Sequence, residues 1–323
     1  GDLVEHKLRY NSYSQYLKER FGEKVYKLPI NLPLTCPNRD GVLSYGGCIF
    51  CGEEGGSFEN LPNYLTIREQ ILKNKDYIRK NYKANKFISY FQKFTNTYVP
   101  MNYFREMIAN SIDDDIVGIS LSTRPDCIGE EYLEYLSDLS KKKDLEITLE
   151  IGLQTVNYHT LKIINRGHTL AEFIDSILMC KKYSIRTCVH LILNLPWDTM
   201  DDVVEAAKIL SALDVNEVKL HALYILNGTV LGDMYKSGKI QLISKDEYIE
   251  RVITFLEWLK DDIVIQRIIG RAPEEGSLFV NWNESWWKIR DEITKEMEKR
   301  NTYQGKKCHY LAGKALKNFK NIK

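Results

Sequence analysis

Six short runs rich in apolar, β-branched and aromatic residues recur along the first 223 positions, with segments of helical spacing between them. They are Lys24–Leu28, Lys86–Phe91, Ile116–Leu121, Leu145–Leu153, Thr187–Leu193 and Glu217–Leu223. Strands that read as near-continuous apolar runs are those of parallel sheets covered on their faces. Glu130–Ser140 and Asp201–Leu213 carry apolar residues at helical spacing. Thr66 with Glu69, and Thr169 with Glu172, match the capping box that opens helices. Repeated βα units of this kind force a parallel sheet, either open or curled into a barrel. In both arrangements ligands bind beyond the C-terminal ends of the strands.

The rhythm changes after about residue 240. Ser244 and Glu247 open a helix that runs to about Lys260, Ile263–Ile269 reads as one more strand, and a helix follows from Ser285 to Arg300. The expected organisation is an N-terminal extension (1–20), a core (21–244) and a C-terminal extension (245–323). The last eighteen residues hold six lysines, at 306, 307, 314, 317, 320 and 323, and no acid. Such a run is either a solvated face or a surface for nucleic acid. Trp282, Trp286 and Trp287 offer the same two readings, packing or base stacking.

With 323 residues, 44% of them apolar, the chain can bury one large α/β domain and a small appendage. A net charge of +1 carries no global nucleic-acid or membrane signature. No apolar run approaches the length of a membrane span, and Gly1–Lys7 lacks a signal-peptide pattern, so a cytoplasmic protein is expected. Seven cysteines without such a signal fit a reducing compartment. Of these, Cys127, Cys180, Cys188 and Cys308 are scattered and read as ordinary thiols.

The other three sit together. Cys36, Cys48 and Cys51 have the spacing C-x11-C-x2-C and follow the first strand, which places them at the ligand-binding end. A closed structural zinc site takes four ligands, the fourth then coming from a distant residue such as His168 or Cys308. A [4Fe–4S] cluster on three thiolates instead keeps one iron open. Closure entropy rises slowly with loop length, so an eleven-residue gap is tolerable, and Gly46–Gly47 supplies backbone freedom beside the second cysteine.

Taken with Ser122–Asp126, Glu150–Thr155, Asn165–Thr169 and His190–Pro196, the cysteine loop resembles the radical SAM superfamily. The nearest branch is that of the Elongator catalytic subunit and the oxygen-independent coproporphyrinogen oxidases. Phe91–Tyr98 and Thr302–Gly305 resemble its YhcC/YtqA-like (MnmL-type) group. The resemblance implies a partial (β/α)6 TIM-like barrel with a C-terminal α/β extension. It implies an enzyme with a [4Fe–4S] cluster on Cys36, Cys48 and Cys51, which cleaves S-adenosylmethionine (SAM) reductively to a 5′-deoxyadenosyl radical. Phe50 matches a position near the adenine; Gln92, Thr95 and Asn96 stand where relatives meet the SAM amino group. Gln154 and Arg166 match the pair on the ribose and carboxylate, and His190 a ribose position. Departures are the missing Gly-rich motif, Ser122 where relatives often carry Glu, and Asn194 and Trp197 in place of glycines. The implied partners are SAM, tRNA, and an electron donor such as flavodoxin or ferredoxin. The implied substrate reaction trims a carboxymethylaminomethyl group at wobble uridine 34 toward aminomethyl. A porphyrinogen-type small-molecule reaction, or a non-catalytic Fe–S or RNA-binding role, stands as the alternative.

Overall fold

The computed structural model describes residues 9–32, 65–92 and 95–319. The chain order is α1 (Tyr13–Phe21), β1 (Val25–Ile30), α2 (Ile67–Tyr82), β2 (Lys86–Phe91), α3 (Met101–Ala109), β3 (Ile116–Thr123), α4 (Glu130–Lys143), β4 (Glu146–Gln154), α5 (Tyr158–Ile163), α6 (Leu170–Lys182), β5 (Arg186–Ile192), α7 (Met200–Ala212) and β6 (Glu217–His221). There follow β7 (Ile225–Leu226), α8 (Val230–Lys236), α9 (Lys245–Trp258), β8 (Val264–Arg267), β9 (Ser277–Phe279), α10 (Trp286–Lys299) and α11 (Lys314–Phe319).

Seven strands form one all-parallel sheet in the order β1-β2-β3-β4-β5-β6-β8, curled into a half-barrel. The six strands read from the sequence are all present. The seventh comes from the segment expected to form a C-terminal extension: β8 pairs Glu217 with Val264 and continues the sheet past β6. The helix expected at Ser244 is α9, whose first turn is capped by the Ser244 side chain accepting from the Glu247 N–H. It packs on α7 outside the barrel, so the βα rhythm runs on without a break in the sheet.

Strand alternation sorts side chains by polarity. Ile147, Leu149, Ile151 and Leu153 of β4 face outward into the main core, with Phe173 and Ile177 of α6 and Leu133 and Leu136 of α4. Each such burial stabilises by roughly 1.5–3 kcal/mol. The other face of the same strands carries Glu146, Thr148 and Glu150, and the register sets Cys188 of β5 beside Glu150 and His190 beside Lys219 of β6. The lumen of the half-barrel is therefore polar where the periphery is apolar.

The N-terminal segment closes the lower end. Helix α1 packs against both β1 and β8, and its Tyr16 hydroxyl donates to Glu146 at 2.7 Å. The Thr302–Gly305 motif acts as a clasp on this arrangement. Gln304, buried, accepts from the Asn11 N–H at 2.9 Å and donates to the carbonyls of Lys260 (2.8 Å) and Ile263 (2.9 Å). Trp282 packs against Tyr248 and Phe279 and donates its indole N–H to Ile243 O at 2.9 Å, which is the packing reading; Trp287 is exposed.

Gly118 of β3 tests this register. A Cβ there would lie 2.7 Å from the Glu146 carbonyl oxygen, a backbone atom that cannot move aside alone. Gly118→Ala should cost about 1–3 kcal/mol of stability, read as a lower urea midpoint at unchanged slope. An unchanged midpoint would contradict the β3–β4 pairing.

Candidate functional site

The residues expected to meet SAM gather at the C-terminal ends of the strands. Gln92 directly follows β2, and Thr95 and Asn96 lie in the loop after it. Asn96 is fully occupied in shaping that loop: its amide donates to Phe91 O (2.9 Å) and Ser122 O (3.1 Å), and its backbone N–H to Ser122 O (3.0 Å). Thr95 is buried beside it. Gln154 ends β4 with a left-handed φ of 71°. Cys36, Cys48, Phe50 and Cys51 lie outside the described residues.

Arg166 is brought back over β4 by the turn after α5. Its Nη2 donates to Gly152 O at 2.6 Å and its Nε to His168 Nε2 at 3.0 Å. A Cβ on Gly152 would fall 2.6 Å from Arg166 Nη2 and 3.0 Å from Gln154 Nε2, so the glycine makes the space in which the two side chains meet. Arg124, ion-paired with Asp126 at 2.9 Å, donates to the Arg166 carbonyl at 2.5 Å. His168 is thus a partner of Arg166. Burial, and then the Arg166 and Arg124 guanidiniums, push its pKa down to about 3. A neutral ring with its proton on Nδ1, toward Thr169 O at 3.3 Å, accepts from Arg166 and fixes the guanidinium plane.

His190 sits deeper, in the lumen. Its Nε2 meets Glu150 Oε1 at 2.7 Å, and Glu150 also accepts from Lys27 Nζ (2.6 Å) and the Tyr90 hydroxyl (3.0 Å), with Lys219 Nζ at 3.8 Å. Beyond His190, His221 Nε2 meets His190 Nδ1 at 2.9 Å, and Arg267 Nη2 meets His221 Nδ1 at 2.7 Å. Burial opposes the charge of Glu150, but Lys27, Lys219 and the His190 hydrogen bond outweigh it and hold its pKa well below the usual carboxyl range. Burial lowers His190 to about 4 and Lys219 to about 7 against the attraction of Glu150. His221 is held well below its ordinary value by burial, and further by Arg267.

Sequence reading singled out Glu150 and His190 but missed Lys27, Tyr90, Lys219, His221 and Arg267. The signal was present: Glu146/Glu150, Arg186/His190 and Glu217/Lys219/His221 recur at even spacing inside strands otherwise apolar, the mark of one polar face.

The family model for the radical SAM superfamily matches residues 35–210, and that for the Radical_SAM C-terminal domain matches 215–299. The chain belongs to the radical SAM superfamily, and the family implies a [4Fe–4S] cluster and SAM as cofactors. It is 37% identical over 301 residues to the uncharacterized protein YtqA of Bacillus subtilis, covering 92% of each chain. It is 26% identical over 148 residues to the tRNA uridine(34) acetyltransferase of Methanocaldococcus jannaschii, covering 45% of this chain and 26% of that one. Among solved structures it is similar to the archaeal Methanocaldococcus infernus Elp3, with a TM-score of 0.66 at 18% identity. That match covers 87% of this chain and 64% of the Elp3 chain, and it shows the fold.

Three buried neutral histidines make a pH prediction. Between pH 6.5 and about 4 the unfolded chain protonates at His168, His190 and His221 while the native chain does not. Asp198, raised to about 6 by burial, opposes this by holding a proton in the native state. For these four groups unfolding near pH 5 takes up about two protons, so stability falls with acid by ~2.7 kcal/mol per pH unit. Urea midpoints should fall most steeply near pH 5 and more shallowly toward pH 7, where the unfolded histidines also lose their protons, and His168→Gln should reduce proton uptake near pH 5 by about one. An unaltered slope in that variant would mean His168 is protonated in the native state.

Proposed function

We propose that this chain is a radical SAM enzyme that modifies the side chain of a tRNA wobble uridine. Cys36, Cys48 and Cys51 would hold the cluster, and an electron donor such as flavodoxin or ferredoxin would reduce it. When bound, the cluster and SAM supply a 5′-deoxyadenosyl radical that abstracts a hydrogen from the substrate. The residues at the strand ends fit SAM. Arg166, oriented by His168 and Gly152, presents a planar guanidinium suited to the amino-acid carboxylate. Gln154, turned by its left-handed φ, stands beside it for the ribose, while Asn96 and Thr95 shape the loop toward the amino group. Phe50 would pack near the adenine. His190, neutral and hydrogen-bonded to Glu150, offers the floor beneath the ribose. Supported on both sides, these groups need little reorganisation when SAM arrives.

The observation that carries the cofactor half is the Gly152–Gln154–Arg166 arrangement, a cradle that a single methyl group would fill. The tRNA half rests on likeness to the tRNA uridine(34) acetyltransferase and on the lysines of the C-terminus, since phosphate contacts supply much RNA affinity. The finer reading is trimming of a carboxymethylaminomethyl group toward aminomethyl. A cytoplasmic setting fits: no described helix is long and apolar enough to cross a membrane, and the described cysteines are free thiols. On this reading, residues 21–244 form the catalytic core, with 1–20 and the basic-tailed 245–323 as extensions.

Two measurements test the reading. Gly152→Ala should weaken SAM binding to the anaerobically reconstituted protein about tenfold, by titration calorimetry, with little change in melting temperature. Unchanged affinity would remove Arg166 from the SAM site. Mass spectrometry of tRNA nucleosides from a deletion strain should show an altered wobble uridine, with carboxymethylaminomethyl accumulating over aminomethyl. An unchanged profile would sink the tRNA substrate.

A further inference from the structure

The basic C-terminal segment is fastened to the end of the barrel opposite the strand-end site. Helix α9 ends at Trp258, and the chain turns at Lys260–Ile263 to enter β8, so this turn lies at the lower end. Gln304 donates to the carbonyls of Lys260 and Ile263 there. The next residues take up the last carbonyls of α9, which have no partner inside the helix. The Gly305 N–H donates to Leu256 O at 3.0 Å, the Lys307 N–H to Glu257 O at 2.8 Å, and the Tyr310 hydroxyl to Trp258 O at 2.6 Å. Strand β4, nine residues long, separates this end from the mouth by roughly 30 Å.

No acidic residue follows Glu298 in the chain. Two of the cations after it have partners: Arg300 pairs with Glu250 and Glu296, and Lys307 with Glu257 at 3.6 Å. Lys307 also stands at a helix C-terminus, where a positive charge is favourable without any ligand. That account does not reach Lys306, Lys314 and Lys317, which are exposed and pair with no carboxylate among the described residues. Lys314 and Lys317, three apart on α11, share one side of it. Exposed aromatic rings accompany them, Tyr303 at 49% and Phe319 at 69%, and Lys208 lies over Trp258 and Tyr310. Spread lysines with exposed rings suit a phosphate backbone with bases beside it. An acidic electron donor fits this end poorly, because the cysteine loop that it must approach follows the opposite end of β1.

We propose that the lower end of the barrel, through Lys306, Lys314 and Lys317, is a second contact for the phosphate backbone of the RNA substrate. This rests on the tRNA reading above and narrows it. A nucleoside or an isolated anticodon stem–loop seated in the mouth does not reach these lysines, whereas a folded RNA lying along the α7–α9 flank does. The substrate class is therefore a whole folded RNA, held at two separated places.

The test measures binding of the anaerobically reconstituted full chain to whole tRNA from a deletion strain and to its isolated anticodon stem–loop. The triple variant Lys306→Gln, Lys314→Gln, Lys317→Gln should bind whole tRNA about 10- to 100-fold more weakly, with the slope of log Kd against log salt lower by about 2–3. Its affinity for the stem–loop should stay within about twofold of the wild type. The corresponding triple Arg variant keeps the charge and should bind whole tRNA as the wild type does. In hydroxyl-radical footprinting the wild type should protect two separated tracts of the tRNA, and the Gln variant should lose the one outside the anticodon arm. Unchanged whole-tRNA affinity and salt slope in the Gln variant overturn the proposal. So do equal losses on both RNAs, which would place these lysines at the anticodon arm. Lysine-dependent capture on phosphatidylserine vesicles with unchanged tRNA binding would give the face to a lipid surface instead. An unaltered wobble uridine in the deletion strain would sink that substrate reaction, and the comparison of whole tRNA with stem–loop would still decide the lower-end contact.

Discussion

The Glu150 carboxylate, fully buried in the lumen, is the interaction on which the rest of the structure depends. Lys27 reaches it from β1, Tyr90 from β2, His190 from β5 and Lys219 from β6. One acid on the central strand therefore ties five strands of a seven-stranded sheet to a common point. Removing it would strand two ammonium groups in a low-dielectric interior, a cost several times that of a surface ion pair. Its own charge survives burial because those same groups surround it.

The network matters to the site because it forms its floor. Strand ends carry Gln92, Gln154 and the loop of Asn96, and the turn after α5 returns Arg166 over them. Groups proposed to hold a small ligand need neighbours that do not shift. Gly152 illustrates the connection: it pairs with His190 across β4 and β5, and its carbonyl anchors Arg166. The lumen network and the strand-end cradle thus meet at one residue.

Much of the fold was legible because the dominant signals are local. Apolar runs marked six strands to within a few residues, and the Thr66, Thr169 and Ser244 side chains each accept from the N–H three residues on, as their spacing predicts. What escaped was long-range. Val264–Arg267 reads as a strand, but only its pairing with β6 shows that it extends the same sheet. Gln304 reads as part of a family motif, yet its amide serves to join the N-terminal segment to the β8 edge. The candidate site was legible through motifs at strand ends. The lumen row was not, because Lys27, Glu150, His190 and Arg267 are separated by up to 240 residues and share only a face parity.

That parity explains why the lumen is polar at all. An apolar interior of equal volume would be as stable or more so, since buried ion pairs seldom repay their desolvation. A polar one specifies register. Sliding any strand by one position would send Glu150, His190 or Lys219 into the helix-covered apolar layer and bring Leu149, Val189 or Val218 into the lumen. A sheet open along one side lacks the closure that fixes register in a full barrel. The charged row substitutes for that closure, at the cost of holding His190 and His221 neutral.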